Sequence, residues 1–373
     1  MNQIKKHVIL VLYLVINLLF VDKYAARITD YHLLASVVYL LGASVLILLI
    51  EKKAHAFVHS AQWLIGIGLL FLCAGVGLQY AIDPFSLQVD RWSALHNFLT
   101  GMLSGEYPYG YPTHLGGYGS PFPVWQMFHL PFCLLGNVGL SIFVVTVAFI
   151  VTIYYCRSSK AALVATILLC VSPAFWYEIA VRSDLVTNML LVAIIAEWLV
   201  CKQIKLTPYI IPIGVLSGLI LSTRFIAIIP ICVIYGYEFL KMGWKKQLVF
   251  LLTTLGTFGL TFLPFILWDG STLLFFEYNP FVLQTRQGSW VVLLLFAIIA
   301  IAITIYQKGS IKHRTAYTGL LLTTLVTMAF IEKMSQQNLW KDLYSSAFDI
   351  TYLSTALPFY IEFLAHSLAL GKE

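Results

Sequence analysis

Residues 121–136, "PFPVWQMFHLPFCLLG", decide the fold, because their reading sets the parity of every membrane crossing that follows. The stretch is apolar enough to be taken for a span. It is shorter than the ~20 residues that cross a bilayer, and it carries Pro121, Pro123 and Pro131. Counted as a crossing, it would move Arg157 and Lys160 to the outer face. Left out, it keeps them inside, where the Lys and Arg of short loops accumulate. It is therefore expected as a re-entrant or surface-lying helix of the outer face, with its backbone covered by protein or water.

Around this stretch the chain is close to continuous hydrocarbon. Of 373 residues 60% are hydrophobic and 11% charged, with mean hydropathy +0.86. A soluble core cannot use that much apolar surface. The expected fold class is an all-α polytopic membrane protein of about 12 transmembrane helices, with amphipathic surface helices in the first large external loop. The spans are read at roughly 7–21, 32–50, 61–81, 138–156, 161–177, 185–201, 208–223, 225–240, 247–268, 290–306, 316–331 and 350–368. With the N-terminus inside, the cytoplasmic side holds 15 of the 23 Lys and Arg residues, while about 12 of the 17 acids lie at the outer face. The net charge of +6 is thus a topology signal. Nucleic acid is not an expected partner.

The first span follows Lys5 and Lys6, but "FVDKYAARITD" offers no good small-residue cleavage site, so an uncleaved span is expected. All six cysteines lie in or at the ends of apolar segments and read as buried small hydrophobes without a metal-ligand spacing. No repeat, low-complexity tail or soluble linker divides the chain, which reads as one membrane domain over 1–373.

Cytoplasmic connections are short and basic, whereas 82–137, 178–184, 269–289 and 332–349 are long, varied and external. In "VDRWSALHNFLTGMLSGEYPYG" (89–110), Trp92, Leu95, Phe98, Leu99, Met102 and Leu103 recur at helical spacing; Asp90, Arg91, Ser93, His96, Asn97 and Thr100 fill the other faces. That pattern predicts an amphipathic helix lying on the membrane, with Asp90 at its first turn. Asp90 reads either as a helix cap or as a reacting group. Glycine and proline break the following "EYPYGYPTHLGGYGSPFP". Its tyrosines, Tyr109 among them, could stack on a sugar ring or anchor at the lipid interface.

These residues resemble a family. A span, an outer-face Asp in "DRW", a surface helix ending "GMLSGEYPY" and a proline-led second helix "SPFPVW" look like the first external loop of GT-C membrane glycosyltransferases. "SPAFWYEIAVRSDL" resembles their second external loop, and "GVLSGLILSTRF" a recurrent helix closing with an arginine at the outer surface. The likeness covers about 61–240 as a core, with 241–373 matching by topology alone. Two spans precede the one that leads into the Asp loop, where the common pattern has one, so 1–60 reads as an accessory helix pair.

The resemblance implies sugar transfer, generally inverting, from a polyprenyl-phosphate-linked donor to a hydroxyl of a glycan, lipid or protein acceptor. The setting would be an integral protein of a bacterial inner membrane, with its site facing the periplasm. Such chemistry needs a base at the attacking oxygen and cations at the departing phosphate. By resemblance Asp90 is the base, with Asp83 as a competitor better suited to a turn. Arg91 could orient Asp90 or snorkel to headgroups. Arg224 is assigned to the donor phosphate or, alternatively, to a lipid headgroup, with Arg286 and Lys333 as further candidates. Asp184, with Glu178 before it, could assist the acceptor, share a divalent ion with Asp90, or pair with Arg182. Two carboxylates are few for a hard-cation site, and no other cofactor is assigned. His96, His114 and His129 match no zinc spacing and could hydrogen-bond an acceptor. Glu362 is expected to face protein or a watery crevice. Two other classes compete: a twelve-span transporter, and a lipid-linked glycan polymerase or ligase. The polar groups gather at the outer face without a matching second half, which argues against the first. The large loop comes early, which argues against the second.

Overall fold

The computed structural model describes residues 2–53, 60–276, 279–286, 288–308, 313–336, 344 and 349–369. Lys312, Lys341 and most of 332–349 lie outside the described residues. The described chain is all-helical, and its β pairing amounts to one isolated bridge between Pro112 and Tyr118. Seven of its helices are long and apolar enough to cross a membrane. They are α1 (Gln3–Ala25 within Asn2–Ala25), α2 (His32–Lys53), α3 (Ser60–Ala81), α7 (Ser141–Cys156), α13 (Trp244–Phe275), α15 (Trp290–Gln307) and α16 (Arg314–Gln336). An eighth arises if α8 (Ser159–Cys170) and α9 (Pro173–Ala180), bent by 69° across Val171 and Ser172, form one broken span. Four other expected spans are shorter helices: α10 (Leu185–Cys201), α11 (Ile210–Leu221), α12 (Ile229–Lys241) and α17 (Leu357–Ala369).

Burial explains which helices need length. α2, α3, α13 and α15 present rows of exposed Leu, Ile, Val and Trp, such as Leu34, Leu70, Leu267 and Leu294. So large a connected apolar surface is stable only against lipid or a partner. α8, α10 and α17 are instead enclosed on nearly every side by α1, α3, α7, α12 and α16. Alanines on α8 (Ala161, Ala162, Ala165) let these neighbours approach closely. α11 and α13 pack closely along their sides: a Cβ added at Gly218 would stand 2.5 Å from the Thr254 carbonyl oxygen and 2.7 Å from Thr257 Cβ. Only glycine fits there.

α1 is built into this core rather than set beside it. Tyr13 donates to the Leu168 carbonyl (2.6 Å), and Asn17 Oδ1 accepts from Ser172 Oγ (2.6 Å) and the Ala174 amide (3.2 Å). One side chain thus satisfies backbone freed by the break between α8 and α9. Such breaks are tolerated where protein re-satisfies the polar groups.

The deciding stretch folds as two short helices, α5 (Pro123–Phe128) and α6 (Leu130–Leu134), far below spanning length. Pro123 and Pro131 sit in the first turns, where a missing N–H costs nothing. The amides of Phe122 and Val124 donate to the carbonyls of Thr223 and Ser222 at the end of α11 (3.2 and 3.1 Å). Protein therefore covers this backbone, and Phe122, Trp125 and His129 are buried.

α4 (Arg91–Leu103) is the helix expected over the amphipathic stripe, with one correction. Its apolar face packs on protein rather than lying on lipid. Phe98 meets Tyr109 and Phe265 of α13 (ring centroids 4.8 and 5.7 Å), within a cluster that includes Leu95, Leu99 and Phe262. The aromatic face of α13 offers the stripe a closer-fitting surface than acyl chains do.

Candidate active site

Asp90 stands at the N-terminal boundary of α4, yet its carboxylate makes no capping bond. The helix starts on its backbone carbonyl, which accepts from the Ala94 amide (2.8 Å). Its Oδ2 accepts instead from Thr113 Oγ1 (3.0 Å), and Thr113 is fixed by its amide donating to the Gly117 carbonyl (2.7 Å) and its Oγ1 accepting from the Gly117 amide (3.0 Å). A Cβ at Gly117 would lie 2.8 Å from Asp90 Oδ2, so glycine opens the space into which the carboxylate projects. Asp83 takes the turn role: its Oδ1 accepts from the Phe85 amide (3.0 Å) and caps the short 3-10 turn Pro84–Ser86.

Asp90 lines a polar cavity of about 420 Å³ together with Arg91, Asp184, Arg224, Arg286 and Asp349. That volume suits a small-molecule site. Asp184 is 2% exposed; its Oδ2 accepts from Arg224 Nη2 (2.5 Å) and Trp125 Nε1 (2.7 Å), while Oδ1 has no hydrogen-bond partner. Burial alone would raise its pKa, but Arg224 outweighs burial and holds it below the usual carboxylate range. Arg224 is itself 5% exposed, and its Nε has no partner. A second cavity, of about 340 Å³, adjoins the first. Ser120, Arg224 and Tyr352 line both, and the second is otherwise walled largely by apolar side chains of α15 and α16, such as Val292, Leu293, Leu325 and Val326. Arg224 therefore stands where a polar chamber meets an apolar groove.

Arg91 belongs to a clamp. It pairs with Asp349, donates to Thr351 Oγ1 (2.5 Å) and Ser183 Oγ (3.1 Å), and lies 3.6 Å from Glu178 Oε1. These bonds join the start of α4 to α9 and to the 3-10 turn Ile350–Ala356 before α17. At Asp349 burial would raise the pKa, but Arg91, the two bonds from Thr351 and Lys23 together outweigh it and hold the carboxyl down. Glu178 is buried behind Arg91, accepts from the Val186 amide (3.2 Å), and is not part of the cavity lining.

Besides Glu178, three more expected site residues lie outside the cavity. Arg182 does not pair with Asp184; its Nη2 donates to the carbonyls of Gln79 and Ile82 (2.6 and 3.3 Å) at the end of α3, where a cation meets the helix dipole favourably. Tyr109 is buried in the aromatic cluster and donates to the Pro121 carbonyl (3.4 Å). His96 packs beside Trp92, with Nδ1 3.7 Å from Cys133 Sγ. The other two histidines are also placed apart. His114 contacts Ser93 Oγ (2.7 Å), while His129 bonds the Trp125 carbonyl (2.8 Å) and Ser141 (3.1 Å). Burial pushes His129 down to about 4.

Among the described residues, no group of three or more His, Cys, Asp or Glu is placed to hold a metal ion. The Arg224 guanidinium on Asp184 Oδ2 also repels a cation there, so the donor set fits a shared divalent ion poorly. The sequence reading missed Lys23, Tyr24 and Arg27 of α1 and its extension, together with Asp349 and Tyr352; all line the polar cavity. Their only early signal was polarity at the outer end of an apolar segment. Comparison with family models, curated proteins and solved structures finds no match to this chain.

Proposed function

We propose that this chain is a GT-C-like membrane glycosyltransferase that moves a sugar from a polyprenyl-phosphate donor to an acceptor hydroxyl at the outer face. The observation that carries the reading is the junction of the two cavities at Arg224. An amphiphile with an acidic head needs this pairing: an apolar groove for the chain, a guanidinium at the joint, and a polar chamber for the sugar. In this reading α1, α2, α3, α7, α8, α10, α11, α12, α13, α15, α16 and α17 give twelve crossings, with the N-terminus inside and the long loops in the periplasm of a bacterial inner membrane.

The acceptor hydroxyl gives its proton to Asp90 as its oxygen attacks the anomeric carbon. The bond from that carbon to the phosphate oxygen breaks, and the polyprenyl phosphate leaves with the bonding electrons. Arg224, with Arg286 at the cavity wall, receives the charge. Asp184 orients Arg224, and its unpartnered Oδ1 can accept from a sugar hydroxyl. The sugar inverts, because attack and departure lie on opposite faces.

One observation favours a transporter instead. Exposed Arg157 pairs with buried Glu197 (Nε to Oε1, 2.5 Å) and lies 4.0 Å from buried Glu362, and intramembrane ions often mark solute paths. Binding of undecaprenyl phosphate to the full-length protein in nanodiscs separates the two readings. The enzyme reading expects saturable binding that Arg224→Lys weakens about tenfold to a hundredfold, because a point charge replaces a bidentate fork. Lys is the right replacement, since an uncharged residue would leave Asp184 buried without its ion-pair partner, at a cost of about 3–5 kcal/mol. Absence of binding, or equal binding by a well-folded Arg224→Lys protein, overturns the donor assignment.

A further inference from the structure

We infer that the outer end of α1 forms a second subsite in the polar cavity, for an acceptor saccharide that carries an acidic group. This rests on the proposed reading of the cavity and names the acceptor class. Lys23, Tyr24 and Arg27 line the polar cavity, and none of them lines the apolar groove. A lipid chain in the groove brings its phosphate to Arg224 and leaves the α1 wall to the other reactant.

That wall is held rigidly. Asn17 and Tyr13 fasten α1 to the break between α8 and α9. The Tyr24 ring stacks on Tyr177 (centroids 4.2 Å, planes 24° apart), and the Arg27 guanidinium lies 4.9 Å over Tyr24. Tyr177 also lines the cavity. With its two faces taken by Tyr177 and Arg27, the Tyr24 ring holds the guanidinium at the cavity, where it can pair with carboxylate or phosphate oxygens. The charge balance of the chamber points the same way. Arg91 is answered by Asp349 and Glu178, and Arg224 by Asp184. Among the described residues Arg27 makes no ion pair with an acid, and it is exposed at the cavity. The cavity lining sets Lys23, Arg27, Arg91, Arg224 and Arg286 against Asp90, Asp184 and Asp349, an excess of positive charge that an acidic saccharide would use.

The test uses the full-length protein in nanodiscs and four probes: undecaprenyl phosphate, trigalacturonic acid, a phosphorylated maltotriose and neutral maltotriose. Binding is measured for the unaltered protein and for Arg27→Gln, with the melting temperature as a control for folding. At least one acidic saccharide is expected to bind about tenfold tighter than maltotriose. Which one does so tells carboxylate from phosphate recognition. Arg27→Gln should erase that preference and leave undecaprenyl phosphate binding unchanged. Equal affinity for acidic and neutral saccharides overturns the inference. So does an Arg27→Gln protein that loses undecaprenyl phosphate in the same proportion, since the wall would then serve the donor. An Arg27-dependent acidic saccharide without any undecaprenyl phosphate binding keeps the subsite and removes the donor reading.

Discussion

At the scale of single residues, Asp90 separates chemistry from local structure. Its backbone starts α4, while its carboxylate turns to Thr113 and the cavity. Asn can keep the bond from Thr113, because its amide oxygen also accepts, but it cannot take a proton from an acceptor hydroxyl. Asp90→Asn is therefore expected to lower sugar transfer by roughly 10²–10⁴, with a stability change within ~1 kcal/mol. Asp83→Asn serves as the comparison, since Asp83 only caps a turn. Turnover and thermal unfolding measured on both proteins decide the matter. A fully active, well-folded Asp90→Asn enzyme would exclude Asp90 as base, and an inactive Asp83→Asn would move that role seven residues earlier.

Among the elements, the α5–α6 pair has the most to hold in place, because Trp125 reaches Asp184 from it and His129 buries its ring behind Trp125. His129 donates from Nδ1 to the Trp125 carbonyl and its Nε2 lies 3.1 Å from Ser141 Oγ, while burial disfavours the charged ring. Its folded pKa of about 4 lies below the ordinary histidine value near 6.5. Between those values the unfolded chain holds a proton that the folded protein does not, so stability rises with pH across that window. The contribution is complete above about pH 6.5 and is lost as pH falls toward 4, amounting to on the order of 3 kcal/mol. From pH 7 to 4 the melting temperature of the unaltered protein should decline relative to that of His129→Asn. The comparison cancels other titrating groups such as Glu178, whose burial raises its pKa to about 7 and acts in the opposite direction. Parallel curves would show that acid acts elsewhere. Asp184 and Asp349, both held below the carboxylate range, lose their contributions only at still lower pH.

For the whole molecule, orientation is the property on which the site depends. The proposed map places the cavity outside, and it is checked by cysteines introduced one at a time into a protein without native cysteines. Leu115→Cys, in the first external loop, should react with an impermeant maleimide in intact cells. Lys202→Cys, in the turn after α10, should react only after permeabilisation. Both positions are exposed. Gly117 is unsuitable for the label, because a side chain there would collide with Asp90. Reversed labelling would invert the membrane map and place the cavity in the cytoplasm.

What could be read from residues alone was local or compositional. Hydropathy gave an all-helical chain with long apolar helices, the prolines and length of 121–136 excluded a crossing there, and the Asp–Pro step at 83–84 foretold a capped turn. These follow from interactions within a few residues, which sequence order preserves. Partner choice does not. Arg91 meets Asp349 across 258 positions, Arg224 rather than the neighbouring Arg182 takes Asp184, and α1 brings Lys23, Tyr24 and Arg27 to a loop it never touches in sequence. A charged side chain in a low-dielectric interior takes whichever opposite charge the packing brings within reach, and only the tertiary arrangement of the helices sets that reach. The meeting of the polar chamber with the apolar groove at Arg224 has the same origin, since its walls come from helices that fold against one another only in the finished protein.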